Sequence, residues 1–105
     1  MYTIYFKDKS EEKYHSIPEP IMDSWIHVEN ASTDDLRYIS ETLKIDSEDI
    51  KDSLDMMEIA RVERIEKDTV VVYARFPYMQ EIGVYTATLT IVLSRDYLVT
   101  ICPTR

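Results

Sequence analysis

The sequence predicts a mixed α/β (α+β) domain, with two helices inserted between the second and third strands of a largely antiparallel sheet. Two patterns indicate this class. Apolar side chains near the middle of the chain recur at helical spacing, whereas those of the second half alternate with polar ones. A chain of 105 residues has the length of one domain, so we expect residues 1–105 to form a single unit.

The first part of the chain predicts two strands separated by a polar segment. β-branched and aromatic residues favour strands at Tyr2–Phe6 and Ser24–Val28. Residues 7–23 between them are rich in charge and contain Pro18 and Pro20. We therefore predict a long polar loop over this range.

A helix start signal follows the second strand. Ser32 is a suitable N-cap, and Asp35 stands three positions later, as in a capping box. Apolar residues then recur at Leu36, Ile39 and Leu43, which is the spacing of one helix face. These features predict the first helix.

A second start signal follows at Asp46. Ile45 before this cap can pack against Ile50 across the first turn. We predict the second helix near residues 47–57. Its apolar stripe is expected to consist of Ile50, Leu54 and Met57.

The remainder of the chain is predicted to be β-structure. Strands are expected at residues 60–65, 69–77, 84–94 and Tyr97–Ile101. The third of these alternates strictly between apolar residues and threonines, so one of its faces should be buried. The four strands can form an antiparallel meander.

Composition excludes several classes of function. Twelve basic against twenty acidic residues give a net charge of −8, which argues against binding to nucleic acid or anionic lipid. A single cysteine, Cys102, cannot form an internal disulfide. No run of 18 apolar residues and no signal-peptide pattern is present, so the expected compartment is the cytosol. Without a nucleophile–base pair or a glycine-rich phosphate loop, we expect no enzyme.

Acidic residues of the second predicted helix form the one pattern with chemical content. Glu48, Asp52 and Asp55 would share one face of that helix, opposite its apolar stripe. Carboxylates are hard oxygen ligands suited to magnesium or calcium. The alternative interpretation is a solvated helix face.

Several short segments together resemble a known family, the N-terminal cytoplasmic domain of CorA-type divalent-cation transporters. The matching segments are Trp25-Ile26-His27-Val28, Asp34-Asp35-Leu36, Leu43-Lys44-Ile45, Ile50-Lys51-Asp52-Ser53-Leu54, Arg61-Val62-Glu63, Leu89–Leu93 and Tyr97-Leu98-Val99-Thr100. The chain departs from the family pattern at His27, where Asp is usual, and at Lys51, where Glu is usual. The resemblance covers the range from Trp25 to Cys102.

The resemblance implies a cytoplasmic, cation-sensing regulatory domain of a magnesium transporter, at the cytoplasmic face of the cell membrane. The family's Gly-Met-Asn pore signature and long helices are absent from these 105 residues, so we expect no transport by this chain alone. In the family, a divalent ion between neighbouring domains of a pentamer favours the closed pore. Asp52 aligns with an acidic residue of that site, and Glu48 and Asp55 are its neighbours. The partner carboxylate would come from a helix outside this chain.

A second implication concerns the sheet. Helices cover both of its faces in the family, whereas two predicted helices suffice for one. The other face should then expose alternate residues of 70–76 and 85–93, and exposed apolar surface favours self-association. The alternative function is a stand-alone protein-interaction module that uses this face or a sheet edge.

Overall fold

A seven-stranded sheet carries its helical elements on one face in the computed structural model, which describes residues 1–55 and 58–103. The strands and helices follow one another in the order β1 (Tyr2–Phe6), β2 (His15–Ile17), β3 (Ser24–Val28), α1 (Thr33–Leu43), two 3₁₀ helices (Ser47–Asp49 and Lys51–Leu54), β4 (Arg61–Glu66), β5 (Thr69–Gln80), β6 (Gly83–Leu93) and β7 (Tyr97–Ile101). The predicted fold class is confirmed.

The strand order across the sheet is β2-β1-β3-β7-β6-β5-β4. Neighbouring strands are antiparallel except for β3 and β7, which run parallel. The predicted meander of the last four strands is confirmed. A parallel pair needs a long crossover connection, and here it consists of α1, the two 3₁₀ helices and β4–β6, which lie between β3 and β7 in the chain.

The core is built on consecutive register partners. Ile4 pairs with Ile26, which pairs with Val99, and the row continues through Val92 to Val71. All five residues are buried. Helix α1 covers this row with the buried side chains of its predicted stripe, Leu36 and Ile39. Each such side chain stabilises the fold by roughly 1.5–3 kcal/mol relative to an exposed one.

The start of α1 confirms the capping prediction. The Ser32 hydroxyl accepts a hydrogen bond from the Asp35 backbone N–H at 3.2 Å, and the Asp35 carboxylate accepts one from the Ser32 N–H at 3.0 Å. The helix ends at Lys44, which adopts the left-handed conformation (φ 58°).

The prediction of a second α-helix over residues 47–57 was wrong. Two short 3₁₀ helices stand there, separated at Ile50, whose backbone (φ −125°, ψ 6°) leaves the helical region. The physical reason is a tertiary contact: the Asp49 carbonyl, which an α-helix would pair with the Ser53 N–H, accepts from the Tyr73 hydroxyl, and the Ser53 N–H donates to the Ile50 carbonyl instead. Asp46 does cap the segment, accepting from the Glu48 N–H at 3.0 Å. Met57 lies outside the described residues.

The predicted loop over residues 7–23 also needs correction, since it contains β2. This short strand pairs with β1, and Ile17 stands opposite Ile4 in the register. Pro18 follows immediately and removes the backbone donor that would extend the ladder. A three-residue edge strand is too short to show the alternation by which strands are predicted.

Candidate metal and regulatory site

The segment of residues 47–54 is attached to the sheet by apolar contacts. Ile45 and Ile50 are buried in the core, and Leu54 packs partly buried against it. The Tyr73 hydroxyl, on β5, donates a hydrogen bond to the Asp49 carbonyl at 3.2 Å. These contacts hold Asp52 on a short 3₁₀ turn at the surface of the domain.

Asp52 is paired with Arg61 of β4. The Arg61 Nη2 donates to the Asp52 Oδ2 at 2.7 Å. The same guanidinium donates from Nε to Glu63 Oε1 at 2.6 Å and from Nη1 to Glu58. These carboxylates raise the pKa of Arg61, with the hydrogen bond to Glu63 as the largest contribution. Arg61 is therefore the common counter-cation of three carboxylates.

Tyr73 lies beneath this ion-pair cluster. The Arg61 guanidinium carbon lies 4.2 Å from the centre of the Tyr73 ring, which is the distance of a cation–π contact. Burial, and then the nearby charge of Asp52, raises the pKa of Tyr73 to about 12. The phenol is therefore protonated at neutral pH and can donate its hydrogen bond to the Asp49 carbonyl.

The three carboxylates predicted as metal ligands have different surroundings. Glu48 is paired with Lys51 at 2.9 Å, with side chains that are 72% and 64% exposed. Asp55 is exposed, and its backbone carbonyl accepts from the Thr88 hydroxyl at 2.8 Å. Because the segment is not one α-helix, the shared face expected for these residues is not formed. Within residues 1–55 and 58–103, no group of three or more His, Cys, Asp or Glu side chains could hold a metal.

Sequence reasoning missed the central position of Arg61. It treated Arg61-Val62-Glu63 only as part of a strand similar to one in the family. Residues 61 and 63 share a face of that strand, and this alternation was the available signal for an ion pair. Nothing in the local sequence indicated that Asp52 would be folded against the same guanidinium.

The sheet face opposite the core is open. Register partners place Val62, Leu93 and Leu98 on it, and all three side chains are exposed. Within 85–93, the predicted exposure of alternate residues is confirmed only for Tyr85 and Leu93; Ala87 is fully buried, and Leu89 and Ile91 are half-buried. It is wrong for the alternate residues of 70–76, which are half-buried because neighbouring strands flank them on both sides.

A hydrogen-bonded chain crosses this open face between β3 and β7. The Trp25 Nε1 donates to the Thr100 hydroxyl at 2.8 Å, and that hydroxyl lies 2.6 Å from the His27 Nδ1. The His27 Nε2 in turn lies 3.3 Å from the Glu29 carboxylate. These contacts link two parallel strands, so His27 has a structural role here.

The chain has relatives among known proteins. A family model described as "CorA-like Mg²⁺ transporter protein" matches residues 24–104. The complete structure of the CorA magnesium transporter from Methanocaldococcus jannaschii superposes on 100% of this chain and 33% of its own, with a TM-score of 0.80 and 22% identity. The soluble domain of CorA from the same organism matches 79% of this chain and 32% of its own, with a TM-score of 0.68 and 26% identity.

This chain therefore spans about a third of the length of those structures. A comparison with curated protein sequences gives no significant match. In the described residues, no helix has the length and apolar character required to cross a membrane.

Proposed function

The chain belongs to the CorA-like Mg²⁺ transporter family, and on that premise we propose that residues 1–105 form a domain that senses divalent cations and regulates such a transporter. The domain faces the cytoplasm, and it performs no transport or catalysis by itself. The placement of Asp52 carries the proposal. Its carboxylate is 39% exposed on a surface turn, so a ligand from outside the chain can reach it.

Magnesium is the ion that fits this donor set best. It usually takes only one or two carboxylates and keeps several of its waters, so Asp52 with one further carboxylate is sufficient. Glu48 and Asp55, the other two carboxylates predicted as ligands, are exposed and near Asp52 in sequence. The described part of this chain offers no complete ligand set, which supports a site shared between subunits.

Self-association is part of the proposal. The resemblance to the family implies a pentamer, in which a neighbouring subunit would supply the second carboxylate. The net charge of −8 on each copy makes close approach costly unless cations neutralise it. A bound divalent ion would therefore hold neighbouring domains together, and its loss would let them separate.

The test is protection of the assembled transporter from protease by Mg²⁺. Asp52→Asn is expected to abolish or weaken the protection. Asp68→Asn removes the same charge from an exposed residue in the turn between β4 and β5, and serves as the matched control. Equal protection of wild type and Asp52→Asn would remove Asp52 from the sensor and contradict the proposal.

A protein-interaction module is the second candidate, and the open sheet face favours it. Val62, Leu93 and Leu98 present apolar side chains there. Val62→Lys is expected to reduce association in sedimentation velocity if this face forms the contact. The response to Mg²⁺ separates the two functions, because a simple adaptor should respond only to ionic strength.

A further inference from the structure

We propose that the edge of β6 along residues 83–89 is an interaction surface that pairs with the same strand of a second copy of this chain. The pairing is antiparallel and centred on Thr86, so that a two-fold axis relates the two copies. This contact goes beyond the proposed function, because it uses neither Asp52 nor a divalent cation. It also differs from a contact through the open sheet face, because it joins backbone groups at a strand edge.

The strands β5 and β6 continue beyond the rest of the sheet as a two-stranded arm, formed by residues 74–80 and 83–89. β4 pairs with β5 only over residues 69–73, and β7 pairs with β6 only over residues 90–93. The pairing of β5 with β6 continues to Gln80 and Gly83. At about 3.3 Å per residue, the arm extends roughly 20 Å past the neighbouring strands. Among the described residues, no other strand pairs with the arm, and a two-stranded ribbon is only marginally stable by itself.

The outermost strands of the sheet, β2 and β4, and the outer edge of β5 are protected against pairing with another chain. β2 has three residues and is followed by Pro18. β4 carries four charged residues among its six, and its register is irregular between Arg64 and Glu66. Pro77 interrupts the outer edge of β5, because proline has no N–H to donate. Short strands, charges, bulges and prolines are the features by which proteins prevent association of strand edges.

The edge of β6 on the arm has none of these protective features. Residues 83–89 include no charged residue and no proline, although 30% of the residues in the chain are charged. The side chains of Val84 and Tyr85 are 66% and 45% exposed, and both residue types favour strands. This edge is therefore suited to accept a further strand.

The backbone groups needed for such pairing face outward from the arm. Counted from the two-residue turn of the hairpin, Thr86 and Pro77 form a pair that exchanges no hydrogen bonds, so the Thr86 N–H faces away from β5. By alternation, the N–H groups of Val84 and Thr88 face the same way. The Thr86 carbonyl accepts a hydrogen bond from the Arg75 Nη2 at 3.0 Å and can accept a second one.

The distribution of charge favours a second copy of the chain as the occupant of this edge. Each copy has a net charge of −8, so two copies repel one another over most of their surfaces. In a pair centred on Thr86, the uncharged residues 84–88 of both copies meet. Thr90 lies four residues from the axis in each copy, which separates the two Thr90 residues by roughly 27 Å at about 3.4 Å per residue. This distance exceeds the screening length of about 8 Å at physiological salt, so the main parts of the two domains stay apart.

The experiment is sedimentation velocity of the 105-residue chain in EDTA, from about 5 to about 500 μM. The contact is smaller than a standard interface of roughly 1,600 Å², so we expect a dimer with a dissociation constant on the order of 10–100 μM. Hydrogen exchange, measured by NMR at both ends of this range, locates the contact. Exchange of the Val84, Thr86 and Thr88 amides should slow as the concentration rises.

Two variants of the edge and one control test the position of the contact. Thr86→Pro removes one outward N–H from each copy and should weaken the dimer about tenfold or more. Val84→Lys places a charge on the edge and should weaken it about fivefold. Met79→Lys is the matched control, because Met79 is the register partner of Val84, is 82% exposed and lies on the strand that Pro77 protects. It should change the dissociation constant by less than about twofold. Val84→Lys keeps the test valid if Thr86→Pro distorts the arm.

A wild-type chain that stays monomeric at the highest concentration would overturn the inference, and the edge would then be open to an extended segment of a different protein. Equal weakening by Val84→Lys and Met79→Lys would also overturn it, because added charge and not position would be the cause. A dimer that Val62→Lys disrupts and Val84→Lys does not would assign the contact to the open sheet face instead. None of these failures affects the proposed sensing function, which is tested separately by Mg²⁺ protection of the assembled transporter and Asp52→Asn.

Discussion

Replacing Ile50 by Ala tests whether the segment that carries Asp52 is part of the cooperative core. Ile50 is fully buried between the two 3₁₀ helices and belongs to the cluster that contains Ile39. Truncation of such a side chain costs about 2–5 kcal/mol through lost burial and the cavity left behind. Domains of this size are stable by roughly 5–15 kcal/mol, so the loss is a large fraction of the total. At about 4–8 °C per kcal/mol, the melting temperature should fall by about 8 °C or more.

The assay is urea unfolding monitored by the fluorescence of Trp25, which lies on the opposite face of the sheet from Ile50 and so reports global unfolding. Ile59→Ala is the matched control, because the same atoms are removed from a side chain that is 76% exposed. It should change stability by less than about 0.5 kcal/mol. A similarly small effect of Ile50→Ala would mean that the segment separates from the core independently. The packing argument for the position of Asp52 would then be refuted.

Three further changes test other contacts. Thr100→Val removes the acceptor of the Trp25 indole, so it should cost about 1–3 kcal/mol in urea unfolding and shift the fluorescence of Trp25. Burial acts to raise the pKa of Asp35, but hydrogen bonds from the N-terminal ammonium and Ser32 outweigh it and lower the pKa below the ordinary 3.8. The ionised carboxylate therefore contributes its full stability above pH 3.8, and this contribution is lost as the pH falls through the lowered pKa. In urea unfolding, the loss of unfolding free energy caused by Asp35→Asn should be smaller at pH 3 than at pH 7. Lys44→Gly should stabilise the domain by up to about 1 kcal/mol in thermal unfolding, since glycine adopts the left-handed conformation without cost.

Local patterns were sufficient to predict most of the sheet and the first helix. The strands Tyr2–Phe6, Ser24–Val28 and Tyr97–Ile101 have the predicted bounds, because each combines β-branched residues with clear flanking breaks. The 3₁₀ helices were not predictable in the same way. Their apolar residues have α-helical spacing, and the hydrogen bond that engages the Asp49 carbonyl comes from Tyr73 on β5, 24 residues away in the sequence.

The candidate site shows where sequence reasoning reaches its limit. Asp52 could be chosen from its charge, its neighbours and the family resemblance. Its partner could not be, since Arg61 stands nine positions away and reaches it only after β4 has joined the sheet. Such a contact depends on tertiary structure. The pattern of charges along the sequence does not show which cation will pair with Asp52.

The Asp52–Arg61 pair is partly exposed, and this exposure decides what separation of the pair costs. Breaking a fully buried pair costs several kcal/mol, because it leaves a buried charge without its partner. A fully exposed pair contributes about 1 kcal/mol or less. With Asp52 39% and Arg61 26% exposed, the pair lies between these limits. Its contribution to stability is therefore expected to exceed that of the Lys51–Glu48 pair, whose side chains are 64% and 72% exposed.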